Sequence, residues 1–178
     1  TNSITGRSCA DGGDAVNYSV TALTSTTATL ESSPSAGCLS TNDEVLLINL
    51  RGTGTNYANV GNYETLRVQS VAGSTVTFTA SKTKYYGNGA SDDTNIGLAV
   101  GNQAVMLQRV PNYTNVTVNS TINFYPDDWV SPTGAVNNGA GEGGILFFRA
   151  TGTVSIIGNI HATGKGYTAA VYSAPHNA

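Results

Sequence analysis

Gly143 to Tyr167 reads GGILFFRATGTVSIIGNIHATGKGY, with apolar residues alternating with small polar ones and a glycine at each corner. A period of two marks a strand with one face on a core and the other in water. The stretch therefore predicts short β-strands laid one after another on a common core. The same pattern runs upstream: Val116, Val118, Ile122 and Phe124 in NVTVNSTINF (115–124) match Val154, Ile156, Ile160 and Ala162 in TVSIIGNIHA (153–162) at an offset of 38 residues. Between the two copies lies GILFFRA (144–150), read as a further apolar strand. Such strands suit either the coils of a β-helix or the stacked strands of a sandwich, and periodicity does not choose between them. Phe147 and Ile156 are expected in the core on this reading. Residues 127–142, DDWVSPTGAVNNGAGE, form a Gly, Asn and Pro-rich loop that interrupts the repeat.

Further upstream the strands become longer. Val16 to Leu23 and Ala28 to Glu31 predict one hairpin, Tyr63 to Val71 and Thr75 to Ala80 a second across Ala72-Gly73-Ser74. Val20, Leu23, Ala28 and Leu30 match Val68, Val71, Val76 and Phe78 at an offset of 48 residues, as expected of two equivalent hairpins in one small barrel or sandwich. EVLLINL (44–50) reads as a buried central strand, and QAVMLQRV (103–110) closes this part. The fold class is all-β: a small antiparallel barrel or sandwich, continued by a β-helix-like or sandwich part. The expected divisions are an amino-terminal arm (1–14), the barrel or sandwich (15–110), the β-helix-like or second-sheet part (111–167) and a carboxy-terminal tail (168–178).

NDEVLLINL (42–50), VGNYETLRVQSV (60–71), VMLQRVPNYTNVTV (105–118) and the stretch 143–167 resemble, in this order, a β-rich module of large secreted and cell-surface, adhesin-like proteins of bacteria. The resemblance covers roughly Asn42 to Tyr167. It implies an extracellular β module and carries no catalytic residue across. A Gly-rich continuation usually follows the GKGY element in that family. Here a short tail replaces it from Thr168, so a compact subunit or a piece of a longer chain is expected.

Composition narrows the function classes. Only 11% of the residues are charged, against roughly 25% in an average soluble domain, so the polar surface is hydroxyl and amide rather than ionic. Eight Lys and Arg stand singly and the net charge is −3, which provides no footprint for a phosphate backbone. No run reaches the roughly 18 apolar residues of a membrane-spanning helix. Opening on Thr1, the chain reads as a mature, processed product. Cys9 and Cys38 flank the first hairpin outside any metal-binding spacing, so a disulfide and an oxidising, extracellular or cell-surface location are expected.

Candidate sites are few. Asp92 and Asp93 in SDDTN (91–95) are the best of three paired acids for a Ca²⁺ ion, ahead of Asp11 with Asp14 and Asp127 with Asp128. None has an EF-hand spacing, and turn-capping is the plainer role, so no metal or other cofactor is expected. Asp127, Asp128 and Glu142 bracket Trp129 as a glycosidase pair would. Their low-charge setting is expected to leave the acids unshifted, and no enzyme activity is expected. His161 and His176 read as ordinary strand and tail residues. Trp129, Tyr125, Tyr85, Tyr86 and Tyr57 lie in or beside polar loops, where they either stack on sugars or plug the ends of the barrel. Asn17, Asn112, Asn115 and Asn119 head glycosylation sequons.

The function expected is a structural subunit of an extracellular filament or matrix, a homo-oligomer or polymer built by strand pairing. Thr168 to Ser173 or the amino-terminal arm would be the pairing segment. The alternative is a carbohydrate-binding or adhesive module with a glycan partner. A polysaccharide-acting enzyme comes third.

Overall fold

The computed structural model describes residues 7–53, 55–99, 101–129 and 141–166, and the expectations for Thr168 to Ser173 and His176 fall outside them. The fold is all-β, with no helix among the described residues. Six strands come first: β1 (Asn17–Leu23), β2 (Thr27–Leu30), β3 (Glu44–Arg51), β4 (Tyr63–Ala72), β5 (Thr75–Phe78) and β6 (Ala104–Arg109). They close into an antiparallel barrel in the order β1-β2-β5-β4-β3-β6. Alternate residues fill it. Val20, Ala28, Leu30, Val45, Leu47, Val68, Val76, Phe78, Val105 and Leu107 form its core.

The two hairpins are equivalent down to their irregularities. Val20 faces Leu30 and Leu23 faces Ala28, with a bulge after Val20; Val68 faces Phe78 and Val71 faces Val76, with a bulge after Val68. Their inner strands then pair with each other, and Ala28 lies opposite Val76, its own counterpart. A local two-fold axis therefore passes through that pair. The turns are made differently. Gly73 takes φ +58° in a two-residue connection, whereas the Thr24 hydroxyl accepts from the backbone N–H groups of Thr26 and Thr27.

β6 is buried on both faces. Val105 and Leu107 point into the barrel, while Met106 and Gln108 face outward under the segment that begins at Gly141. Gly143 N–H donates to Met106 Sδ at 3.1 Å, and Gln108 Nε2 donates to the Ile145 carbonyl at 3.1 Å. The barrel wall is thus the floor on which the second part is laid.

That second part is a β-helix rather than a sandwich. β7 (Asn112–Tyr113), β8 (Val116–Val118) and β9 (Asn123–Phe124) form one coil; β10 (Arg149–Ala150), β11 (Val154–Ile156) and β12 (Asn159–Ile160) form the next. Each strand of the second coil pairs in parallel with its counterpart in the first. Corners stack closely. A Cβ on Gly152 would lie 2.5 Å from Asn115 Oδ1 and 2.7 Å from the Thr114 carbonyl oxygen, so glycine is required there. Asn115 Oδ1 accepts from Thr153 N–H at 2.8 Å, and Asn159 donates to Asn123 at 3.1 Å, carrying the ladder around the turns.

Three expectations are corrected. GILFFRA is a strand only at Arg149 and Ala150; within it Phe148 packs between Tyr113 and Phe124, with ring centroids at 6.1 and 5.6 Å. Phe147 is half-buried, with the Arg149 guanidinium over its ring, rather than fully in the core. Ile156 is 51% exposed. It stacks on the buried Val118 of the first coil, but no described coil lies on its own far side.

Candidate functional site

Three surfaces carry groups capable of binding, and the first is the loop end of the barrel. The connections 52–62 and 79–103 are tied together by side-chain amides. Asn49 donates to the Tyr86 carbonyl and to Gln103 Oε1, Asn59 to the carbonyls of Gly87 and Gly89, and Asn62 to the Tyr85 carbonyl. Tyr57 and Tyr85 are exposed here, at 66% and 45%. Tyr63, which the sequence reading placed only in a strand, joins them at 54%. Lys84 lies over the Tyr63 ring at 5.0 Å and Lys82 over Tyr85 at 5.2 Å, so cations back two of these rings.

Tyr86, a sugar-contact candidate by sequence, is instead fully buried as a plug. Its hydroxyl donates to Glu64 at 3.0 Å, and burial together with that carboxylate raises its pKa well above the ordinary phenol. Burial pushes Glu64 up, yet the donors on Thr83, Lys84 and Tyr86 outweigh it and hold the carboxylate below its usual range. Asp92 accepts from the N–H groups of Gly89 and Thr94, and Asp93 from Tyr86 N–H while pairing with Lys82. Both acids thus serve the loop. Among the described residues no three metal-ligating side chains cluster.

The second surface is the seam between barrel and coils. The Trp129 backbone N–H donates to the Lys165 carbonyl, and the Arg51 guanidinium lies 5.8 Å from the Trp129 ring centre. Lys165 covers the Tyr125 ring at 4.5 Å and pairs with Asp128, while His161 packs against the same tyrosine. Trp129 thus lies beside Arg51 at the end of β3, and Tyr125 beside Lys165 and His161. Glu142 lies at the seam and accepts from Ser19 N–H on β1 at 3.0 Å. Burial raises its carboxyl pKa despite that bond, with Glu31 and Asp127 adding to the rise. For Glu142 the expectation of an unshifted acid is therefore corrected.

A prediction follows from the sign of this shift. An acid whose folded pKa is raised loses stabilisation as pH rises through that pKa, because its native site disfavours the charge. Glu142→Gln keeps an acceptor for Ser19 and removes the charge. It should raise stability at neutral pH by about 1 kcal/mol, the scale of one polar contact. The gain should vanish at acid pH, where Glu142 is itself neutral. Thermal midpoints of both proteins across pH 4 to 8 test this, and an equal gain at every pH would refute it.

The third surface is a polar cleft of about 380 Å³ where the arm, the barrel rim and the first coil meet. Arg7 pairs with Asp43 through both Nη atoms, Arg109 with Asp14 at 2.6 Å, and Arg149 with Glu44 at 2.7 Å. The bond from Arg149 holds the Glu44 carboxyl below the usual range. Tyr113 is pushed up to about 12, by burial first and then by Asp14.

Of the sequon asparagines, Asn17 is half-buried in β1, while Asn112 and Asn115 spend side-chain atoms on Val110 and Thr153. Asn119 is exposed at a corner of the first coil.

No protein-family model matches the chain, and no curated protein matches it. Among solved structures it is similar to the tailspike protein gp49 from Pseudomonas phage LKA1, at 20% identity over 61% of this chain and 15% of that one, with a TM-score of 0.32. It is also similar to the gp54 tailspike of Acinetobacter baumannii bacteriophage AP22, a structure in complex with A. baumannii capsular saccharide. That match has 16% identity over 82% and 21% of the two chains and a TM-score of 0.33. The chain spans about a fifth or less of these tailspikes, and likeness at this level carries no activity across.

Proposed function

We propose that the chain is a structural module of an extracellular or cell-surface assembly, in which a barrel closes one end of a parallel β-helix and further coils stack on the other. The observation that carries this reading is the second coil. Its strands have a paired neighbour on one side only among the described residues, and Val154, Ile156, Ile157 and Ile160 stand exposed on it, Ile157 at 67%. A solenoid coil buries its apolar residues only by stacking, so an open coil of this composition favours another coil on top. The occupant in this reading is a second copy of the chain. The Cys9–Cys38 disulfide supports an oxidising location, and no catalytic step is involved.

Sedimentation over a range of concentrations tests it. The parent should self-associate, and Ile156→Lys/Ile160→Lys should remain monomeric with the barrel intact by circular dichroism. A parent that is monomeric at every concentration, or a variant that associates equally well, would overturn the reading.

A second reading rests on the loop end, where Tyr57, Tyr63 and Tyr85 present exposed rings on loops cross-linked by amides. Stacking on a glycan is the chemistry they suit. Retention of the monomer on a glycan column, lost in Tyr57→Ala/Tyr85→Ala, would favour it over assembly.

A further inference from the structure

We infer that a second copy meets the first edge to edge, β11 against β11 in antiparallel register about a two-fold axis at Ser155, so that association stops at a closed dimer. This rests on the assembly reading above and adds the geometry of its contact. Val154, Ile156 and Ile160 stand directly over Val116, Val118 and Phe124 of the first coil. Strands paired in register present the same side of the pleat, so each upper residue continues the apolar column begun below it. Val118 is 3% exposed and Ile156 above it 51%, and the difference is the layer that the upper coil lacks. Covering that layer takes an aliphatic face of similar extent. The first coil offers none, because Val118 is buried and Val116, Ile122 and Phe124 are half-buried. Elsewhere among the described residues the exposed large aliphatic side chains are Val60 and Leu98, one in each loop-end connection. The face able to cover the open coil is therefore the open coil of another copy.

Charge permits this contact. Residues 154–160, VSIIGNI, carry none, and the flanking Arg149 and Lys165 are paired with Glu44 and Asp128. Like charges, which destabilise when directly opposed, do not meet when the face is set against itself. Contact between two identical faces is isologous, and its operator is a two-fold axis. An axis running radially through β11 reverses the strand while keeping interior side chains interior. The two edges then meet antiparallel. Val154 of each copy faces Ile156 of the other, Ser155 faces Ser155, and the edge N–H and C=O groups pair as in an ordinary antiparallel ladder. Each copy has then used its open edge, so no third copy adds.

The test is oxidative cross-linking of the full chain, whose two native cysteines are bonded to each other and leave no free thiol. Opposed residues of an antiparallel pair have Cα atoms about 4.5–5.5 Å apart, within reach of a disulfide. Ser155→Cys should therefore form a covalent dimer at least tenfold faster than Thr117→Cys, which places the thiol at the paired position of the first coil. In sedimentation the parent should saturate at two chains. If Ser155→Cys is poorly folded, Thr153→Cys mixed with Ile157→Cys takes its place, because the same axis sets those two positions opposite each other. A mixture of Ser155→Cys with Thr117→Cys reads head-to-tail stacking, in which position 155 of one copy lies against position 117 of the next. Cross-linking in that mixture only, growth beyond two chains, or association without a cross-link through either β11 pairing would overturn the two-fold contact and leave the assembly reading standing. A parent that is monomeric at every concentration would overturn both.

Discussion

Phe78→Ala should destabilise the protein by about 3–5 kcal/mol, the scale for truncating a fully enclosed aromatic ring, whereas Ile156→Ala in the monomer should cost under about 1 kcal/mol. Phe78 ends β5 at 2% exposure, faces Val68 across the hairpin and belongs to the closed core of the barrel. Its removal leaves a cavity that six hydrogen-bonded strands cannot collapse into. Ile156 has the same alternating context in sequence but the opposite setting, so its truncation removes little buried area. Urea denaturation of the two variants at a concentration that keeps the chain monomeric measures both. Equal losses would mean that the second coil is covered in the monomer, contrary to the open coil described above.

The contrast shows which features were legible from residues alone. The barrel hairpins could be read because each pairs with its immediate neighbour in sequence, and the offset of 48 residues carries all three pairs of the first hairpin onto pairs of the second, bulge included. In the coils the partner lies 36 to 38 residues away and the strands are two or three residues long. Val154 does face Val116, as the offset of 38 implies, yet Ile160 faces Phe124 rather than Ile122. The cause is the corner: residues 119–122 separate β8 from β9, but only Ile157 and Gly158 separate β11 from β12. A shortening of two residues preserves the inward and outward alternation and is invisible to periodicity. Site residues failed for a similar reason. Tyr85 and Tyr86 are neighbours with opposite fates because their carbonyls are held by Asn62 and by Asn49 of β3, and the Tyr86 hydroxyl by Glu64 of β4. Glu142 is half-buried against Ser19, 123 positions away, and the arginines of the cleft stand singly in the chain. None of these meetings has a local signature.

Reducing the Cys9–Cys38 bond should cost about 3.5 kcal/mol, the loop-closure entropy of a ring of roughly 30 residues, and should free two thiols where the unreduced protein has none. The bond joins cysteines 29 positions apart, and Cys38 lies fully buried in the barrel cluster with Cys9 packed against it. It does not act alone. Arg7 pairs with Asp43, Asp11 accepts from Tyr18 and from Ser35 N–H, and Asp14 pairs with Arg109, so the arm is fastened to the barrel at four points. Three of these are polar, each hydrogen bond contributing on the order of 1 kcal/mol, and they form only if the arm is already near the wall. The covalent bond supplies that proximity in the unfolded chain. Urea midpoints of the oxidised protein, the reduced protein and Cys9→Ala/Cys38→Ala should therefore fall together for the last two, with the barrel retained. If stability is indifferent to reduction, the arm is held by its ion pairs alone and the oxidising-compartment argument loses its physical basis.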